Sequence, residues 1–226
     1  MSIQQMLLAT NPLPILTFIN YREKDVGAAT SASIDGPSGI SSGDISILYA
    51  WCDVNTNPTL SASSSAGTWV KIGQSSTTNR PAIGIWYSTS VTQPVTVTSG
   101  SSGAWNLIWQ TFRPSKPINS TQVGASDIVQ SASAYTHSIT APSDGASYTY
   151  LHSFGVSGRP QDNLSDPAST TGTPSPIKLD DSSVDSSAVS FYSIFSPNTA
   201  SLPNYSYVNI NDSGRMSSAA IWLGFN

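Results

Sequence analysis

Apolar and polar residues alternate with a period of two along much of this chain, which is typical of β-strands. The segment GDISILYAWCDV, residues 43–54, shows the pattern most clearly. One face of it carries Ile45, Ile47, Tyr49 and Trp51, and the other carries Leu48, Ala50 and Cys52. Because both faces carry bulky apolar side chains, the segment is predicted to be a strand in the middle of a sandwich.

The stretch from Arg80 to Pro114 holds three of the six tryptophans. It contains two hydrophobic runs that are predicted to be strands, separated by a polar insert with a shorter strand candidate at Pro94–Thr98. Trp86, Trp105 and Trp109 stand at alternating positions of these runs, which favours a place in the core over a ligand groove.

Further strands are predicted at Ile15–Asn20, in TWVKIGQS, within Ser126–Thr140, in YTYLHSFGV and in the closing SAVSFYSIF, YSYVNIN and SAAIWLGFN. Loops are predicted at Gly27–Gly43, Asn55–Gly67 and Gly158–Asp181, and a solvated turn at Tyr21–Asp25. About ten strands and no amphipathic helix in residues 15–226 indicate one all-β domain, a jelly-roll-like β-sandwich.

Residues 1–14 are predicted to be an extended N-terminal arm, because Pro12 and Pro14 stop any helix after one or two turns. Its apolar side chains, Ile3, Met6, Leu7 and Leu8, are the candidate partner-binding residues. The alternative is that the arm packs back onto its own domain. This stretch lacks the pattern of a signal peptide, and no apolar run is long enough to span a membrane, so synthesis in the cytoplasm is expected.

Composition narrows the classes of partner. The chain has 43 Ser and 21 Thr against 22 charged residues, so its surface is expected to be rich in hydroxyl groups and weakly charged. The net charge of −4 and the scattered Lys and Arg residues give no footprint for nucleic acid. The single cysteine, Cys52, excludes an internal disulfide and is expected to be a small buried apolar residue.

Candidate catalytic residues are few. The chain has one glutamate, Glu23, and its closest aspartate set, Asp180, Asp181 and Asp185, lacks the ligand pattern of a calcium loop. His137 and His152 both fall on predicted strands, where a packed or hydrogen-bonded role is expected. No nucleophile-elbow motif and no phosphate-binding glycine loop is present. The sequence therefore predicts no enzyme activity, no metal site and no cofactor.

Aromatic residues next to hydroxyl-rich loops offer a second possibility. Such side chains can stack on sugar rings, because an aromatic ring contributes area and a polar group together. The candidates are Trp69, Tyr205 and Tyr207, with Tyr135, Tyr148 and Tyr150 as further members. Most of these six are expected to be core residues instead, since aromatic side chains on strands usually are.

Several short motifs follow one another in a characteristic order along most of the chain. It comprises Gly43-Asp44 before ISILYAW, Ala66-Gly67-Thr68-Trp69, Ile85-Trp86-Tyr87, Val95 and Val97, Ser99-Gly100 through Ala104-Trp105, Phe112-Arg113-Pro114 before Pro117-Ile118, and the closing SSAAIWLGF. This order resembles β-sandwich modules of tailed-phage virion proteins and bacterial surface proteins. The chain departs from the pattern at Thr68, where a Pro-x-Gly-Trp turn is commoner, and in the long segment Gly158–Asp181.

The resemblance implies a structural role in a virion and brings no catalytic residue with it. The first hypothesis is a capsid decoration (cement) protein that contacts the major capsid protein or other virion proteins and forms a homo-oligomer, with a trimer expected. The expected location is the virion, with no membrane partner. The alternative is a receptor- or carbohydrate-binding module of a tail fibre or surface protein.

Overall fold

A computed structural model describes residues 13–54, 56–65, 67–76, 81–90, 93–131, 135–143, 147–157, 168–171, 177–179, 188–195, 201–209 and 216–226. These residues form fourteen β-strands and no helix. The strands are β1 Leu16–Ile34, β2 Ile45–Asp53, β3 Ser61–Ser64, β4 Val70–Ser75, β5 Ala82–Ser88, β6 Val95–Pro114, β7 Thr121–Ser131, β8 Tyr135–Ile139, β9 Thr149–Ser157, β10 Ala168–Thr171, β11 Ile177–Leu179, β12 Ala188–Ile194, β13 Tyr205–Asn209 and β14 Met216–Phe225.

The described strands pair into three antiparallel sheets. Sheet A has the order β1-β6-β2-β5-β4, with β3 also paired to β6. Sheet B has the order β11-β12-β9-β14-β7, and sheet C has the order β10-β13-β8. All strands of sheet A therefore come from residues 16–114, and all strands of sheets B and C come from residues 121–225.

The central core lies between sheets A and B. Sheet A contributes the predicted face of β2, with Ile83, Ile85, Ile108 and Phe112 from its neighbours. Sheet B contributes Leu151, Ala219, Ile221, Leu223 and Phe225. Full burial of this many aliphatic and aromatic side chains supplies the main driving force for joining the two sheets, at about 25 cal/mol per Å² of apolar surface.

The outer face of sheet A is covered by a two-stranded ribbon formed by the end of β1 and the beginning of β6, with β3 on its other side. Ile34, Leu60, Val95 and Val97 pack in one cluster with the outward side chains of sheet A. Those outward side chains are Leu48, Ala50, Cys52, Trp86, Trp105, Leu107 and Trp109. The prediction that Trp86, Trp105, Trp109 and Cys52 are buried is confirmed.

The outer face of sheet B is covered by sheet C. Tyr150, Phe154 and Val156 point from β9 into a cluster that includes Ile139, Tyr205 and Tyr207 from sheet C. The described strands therefore form four layers: ribbon, sheet A, sheet B and sheet C. Each central sheet is apolar on both faces because each is covered twice.

The prediction of an all-β sandwich is confirmed, with fourteen described strands rather than about ten. The strand order departs from a jelly roll, in which successive strands alternate between the two sheets, because here each half of the chain supplies its own sheet.

Four local predictions were wrong. Asn55–Gly67 is not a loop throughout, because it contains β3, which pairs with β6. Tyr21–Asp25 and the beginning of Gly27–Gly43 belong to β1, where they pair with β6, and are not a turn and a loop. Pro94–Thr98 falls almost wholly within the same strand as Ala104–Phe112, because β6 runs unbroken from Val95. Most of Gly158–Asp181, together with Asp180, Asp181 and Asp185, lies outside the described residues.

Two of the short motifs, Gly43-Asp44 and Phe112-Arg113-Pro114, lie next to each other in the fold. Arg113, which follows Phe112, donates from Nε and Nη2 to the two carboxylate oxygens of Asp44, both at 2.8 Å. The same guanidinium reaches the carbonyl oxygen of Gly39 at 2.8 Å, and the Ser41 amide donates to Asp44 at 2.7 Å. The hydrogen bonds and charge of Asp44 raise the pKa of Arg113. The Gly-Asp and Phe-Arg-Pro motifs are therefore the two sides of one bidentate ion pair that holds the loop before β2.

Candidate functional site

The most elaborate polar site lies between sheets B and C, around His137. His137 is on β8, and its ring is completely buried. Its Nδ1 lies 2.9 Å from Oγ of Ser218 on β14. Its Nε2 lies 3.2 Å from Oδ2 of Asp127 on β7, without the alignment of a hydrogen bond. Pairing of β14 with β7 places Ser218 near Asp127, since Ala219 pairs with Ile128, and the packing of sheet C on sheet B brings His137 to both.

Ser218, His137 and Asp127 are the residue types of a hydrolytic triad, but the arrangement differs from one in two respects. The hydroxyl-bearing Ser218 is only 1% exposed, so a substrate carbonyl cannot approach it. The ring nitrogens are also exchanged, because in serine hydrolases the nucleophile faces Nε2 and the acid faces Nδ1. As it stands, the group is a hydrogen-bonded contact between sheets.

His152 makes a second contact across the same interface. It lies on β9 and is fully buried, with Nδ1 3.0 Å from the carbonyl oxygen of Ile221 and Nε2 2.6 Å from the hydroxyl of Tyr207. Its ring stacks on Tyr205 with centroids 4.4 Å apart. Since a carbonyl oxygen only accepts, Nδ1 carries the proton and Nε2 accepts from Tyr207 in the neutral ring.

Burial keeps both rings neutral at pH 7. It lowers the pKa of His137 to about 4, although the nearby carboxylate of Asp127 acts in the opposite direction. It lowers the pKa of His152 to about 3, against a smaller upward effect of the Ile221 carbonyl. The expectation that both histidines are packed, hydrogen-bonded strand residues is confirmed.

The three candidate sugar-stacking residues do not form a site. Tyr205 and Tyr207 are fully buried between sheets B and C, so neither can stack on a sugar at the surface, and that interpretation of them was wrong. Trp69 is partly buried beside the outer core of sheet A and meets Trp109 edge-on, with centroids 5.2 Å apart. The alternation of YSYVN could not tell that this face of β13 would be covered by sheet B.

The candidate partner-binding residues of the arm, Ile3, Met6, Leu7 and Leu8, lie outside the described residues. The base of the arm is described. Pro14 is buried, and its carbonyl oxygen accepts a hydrogen bond from the Thr149 hydroxyl on sheet B. The Ile15 amide donates to the Ser115 hydroxyl at 3.0 Å, and the Ser115 amide donates to the Ile15 carbonyl oxygen at 2.8 Å. The base of the arm is therefore bonded to sheet B and to the connection between the two halves of the chain.

An open groove of about 630 Å³ runs along the first half of the edge strand β7. Its lining consists of Gln122, Val123, Gly124 and Ala125 from β7 and of Thr140, Ala141, Pro142 and Ser143 after β8. Gly124 is needed for this geometry, because a Cβ atom there would lie 2.5 Å from Pro142. The groove combines small apolar side chains with hydroxyl and amide groups, and none of the described residues that line it is charged.

Sequence reasoning placed the histidines on strands but missed their environment. Serine is so common in this chain that a Ser near a His in sequence carries no information. Ser218 is 81 residues from His137, and Tyr207 is 55 residues from His152. The usable signal was weaker: both histidines occupy inward positions of alternating strands, where a buried imidazole needs polar partners.

Within the described ranges, no three His, Cys, Asp or Glu side chains come close enough together to hold a metal ion. No helix in that part of the chain is long and apolar enough to cross a membrane. No protein-family model matches the chain, and no curated protein sequence matches it either.

Proposed function

We propose that this chain is a structural protein of a tailed-phage virion, a capsid decoration (cement) protein that stabilises the particle by bridging neighbouring capsid subunits. The observation that carries the proposal is the anchoring of the arm, whose base is bonded to Thr149 of one half of the chain and Ser115 between the halves. A tether that must transmit force between subunits needs such a fixed origin, whereas a frayed terminus needs none.

The burial pattern also supports this role. The described polar groups with unusual chemistry, the two histidines and Ser218, are inside the molecule. Both central sheets are covered on both faces within one chain, and among the described residues just four large apolar side chains are exposed, Ile15, Val70, Val123 and Ile177. On such a surface, binding by the apolar arm, with Met6 and Leu7 at its centre, is the economical arrangement. We propose a homo-oligomer, with a trimer as the specific expectation.

The test is co-sedimentation with particles stripped of this protein, prepared from the phage that encodes the chain. Leu7→Glu is expected to reduce particle binding at least tenfold without changing the melting temperature, because it places a charge in the proposed contact. Val70→Glu is the matched control, since Val70 is an exposed apolar residue on β4 and should leave binding unchanged. Equal binding of Leu7→Glu and the unmodified chain would contradict the arm contact, and absence of binding by the unmodified chain would contradict the decoration role. Light scattering of the free protein tests the trimer.

A receptor- or carbohydrate-binding module is the second candidate, and the groove along β7 is the observation that favours it. Small apolar patches next to hydroxyl and amide groups suit a sugar or a short peptide. Val123→Trp fills the groove, because Val123 lines it and is 43% exposed. Glycan-array binding that is lost in Val123→Trp but kept in Val70→Trp would establish the second candidate, and an array without signal would remove its glycan form.

A further inference from the structure

Both histidines of the chain lie at one interface, and each reaches across it. His137 belongs to sheet C and contacts Ser218 and Asp127 of sheet B. His152 belongs to sheet B and contacts Tyr207 and Tyr205 of sheet C. Side-chain packing also joins sheets B and C, with aromatic pairs such as Phe154 and Tyr207 at 3.8 Å between centroids. The contacts of the two imidazoles are therefore part of what holds sheet C against sheet B.

The hydrogen bond of His152 requires the neutral ring. Nδ1 donates to the Ile221 carbonyl oxygen, so Nε2 has to accept from the Tyr207 hydroxyl. A proton added at Nε2 turns this acceptor into a donor. The Tyr207 hydroxyl must then rotate and give its own proton to a new acceptor, inside a cluster of Tyr205, Trp222 and Phe195 rings.

The surroundings offer little compensation for positive charge. Among the described side chains, the titratable groups that act on the two rings are Asp127 from β7 on His137, and Tyr205 and Tyr207 from β13 together with His137 on His152. Asp127 is the one acidic side chain among them, it approaches His137 alone, and it is half exposed to solvent. If both rings were protonated, one partly screened carboxylate would be the only negative charge nearby among the described side chains, and it reaches His137 alone.

We propose that sheet C is an acid-releasable cover: protonation of His137 and His152 separates it from sheet B and exposes the aromatic face formed by Tyr150, Phe154 and Trp222. This device is independent of the proposed virion role. It needs only the two histidines, the interface they join and a state in which sheet C has moved away from sheet B.

The direction of the pH dependence follows from proton binding. In the closed form burial lowers the pKa of the two histidines to about 4 and about 3. In the open form solvent returns each pKa toward about 6.5. Between pH 6 and 4 the open form therefore binds up to two more protons than the closed form, and the equilibrium constant for opening rises by up to about 100-fold per pH unit. Above about pH 8 neither form is protonated and the slope vanishes.

Native-state hydrogen exchange of the full chain, read by mass spectrometry from pH 7 to pH 5 and corrected for intrinsic exchange rates, tests the proposal. Opening of amides in β8 and β13 is expected to increase steeply as pH falls, approaching about 100-fold per pH unit near pH 5. Amides of β2 in sheet A are the internal control. They open by global unfolding, which also exposes both histidines, so they should open much more rarely than amides of β8 at every pH but with a similar slope. Equal opening constants in β2 and β8 would mean that the whole molecule unfolds, which would overturn the proposal.

Two variants separate the histidines. His137→Gln and His152→Gln should each reduce the limiting slope to about 10-fold per pH unit, and the double variant should show no slope. Because the slope decides, a variant with a higher baseline of opening remains informative. Unchanged slopes in both variants would overturn the proposal.

An observation on the unmodified chain covers the case in which the variants do not fold. The histidine ring resonances in the NMR spectrum should not titrate down to pH 5 while sheet C is closed. Titration of either resonance near pH 6.5 in the folded protein would overturn the proposal. A dye that binds exposed aromatic surface should bind below pH 5 and be released when the pH is returned to 7.

Discussion

At the scale of single residues, the contact between sheets A and B depends on Tyr49 and Gly155. The Tyr49 ring lies against the backbone of Gly155, so closely that a Cβ atom there would stand 2.8 Å from the ring. The Tyr49 hydroxyl reaches Oγ of Ser153 at 2.8 Å, and Ser153 in turn donates to Gln110 at 2.8 Å. A buried tyrosine thus gains both packing and polar partners only because position 155 has no side chain.

Gly155→Ala is expected to destabilise the protein by about 2–3 kcal/mol, because the added methyl group must displace an aromatic ring in a closely packed core. The measurement is the urea midpoint at constant slope. Gly27→Ala is the matched control: Gly27 also lies on a strand, but a Cβ atom there meets nothing within 4 Å, so a change below about 0.5 kcal/mol is expected. A similar loss in both variants would show that strand glycines matter through backbone conformation and that the Tyr49 contact does not.

A second residue-scale prediction concerns the ion pair of Asp44 and Arg113. Asp44→Ala should cost about 2 kcal/mol, because Asp44 is almost completely buried and its loss leaves the Ser41 amide without its acceptor. Asp35→Ala provides the comparison, since Asp35 is exposed and lies 3.8 Å from Arg22. Exposed pairs of that kind contribute about 0–1 kcal/mol. Thermal melts of the two variants should differ accordingly, and equal melting temperatures would contradict the structural role of the motif.

At the scale of elements, the long strands β1 and β6 decide how sheet A is covered. They pair with each other from Leu16 and Pro114 at one end to Ile34 and Val95 at the other, with irregularities around Ala29. The covering half is rich in hydroxyl groups that bond across strands, such as Ser33 with Thr96 at 2.7 Å and Ser61 with Thr98 at 2.6 Å. On their own, the same Ser, Thr and Gly residues have the composition of a loop. The strands predicted from the sequence were therefore shorter than β1 and β6.

Gly100 lies in the irregular part of β6 with φ of +70°. Gly100→Ala is expected to cost about 1–2 kcal/mol, for backbone reasons alone, because a Cβ atom there meets nothing within 4 Å. Gly100→Asn should cost less, since asparagine tolerates this region better. Chemical unfolding of both variants checks the order. A larger loss for Asn than for Ala would contradict the backbone explanation.

At the scale of the whole molecule, the inner faces of sheets A and B cover each other. Besides the apolar core, hydrogen bonds join them: Trp51 Nε1 donates to the Ser217 carbonyl oxygen at 2.9 Å, and Asn106 donates to the Ser157 hydroxyl at 2.8 Å. Neither half can retain its structure once the other has unfolded, because an exposed inner face would leave these groups and the core in water.

The two halves are therefore expected to unfold in urea at the same concentration. Fluorine NMR of fluorotryptophan-labelled protein can follow Trp51 in sheet A and Trp222 in sheet B separately. The experiment is done at pH 8, where His137 and His152 are both neutral. Loss of the Trp222 signal at a lower urea concentration than the Trp51 signal would show that the halves unfold independently.

How far sequence reasoning reached differs between these scales. Alternation is a local property, so it predicted the central strand β2, the burial of Trp86, Trp105 and Trp109, and the all-β sandwich. It could not predict that packing of sheet C on sheet B would bury Tyr205, nor that the same packing would bring His137 to Ser218, because both depend on contacts between distant segments. The number of layers depends on which outer faces are covered. An apolar residue on a strand shows that its face is buried but not which segment packs against it.

The division of the sheets between the two halves of the chain has a consequence for the connection that joins them. The halves are linked covalently only through residues 115–120, which are tied to Ile15 at one end and to Asn226 at the other by backbone hydrogen bonds of 2.7–3.2 Å. The two halves are therefore related as the subunits of an obligate heterodimer are. If the chain is divided within this connection, the two resulting polypeptides should associate into the same four layers when they are mixed. Each polypeptide alone presents an uncovered apolar sheet and should aggregate.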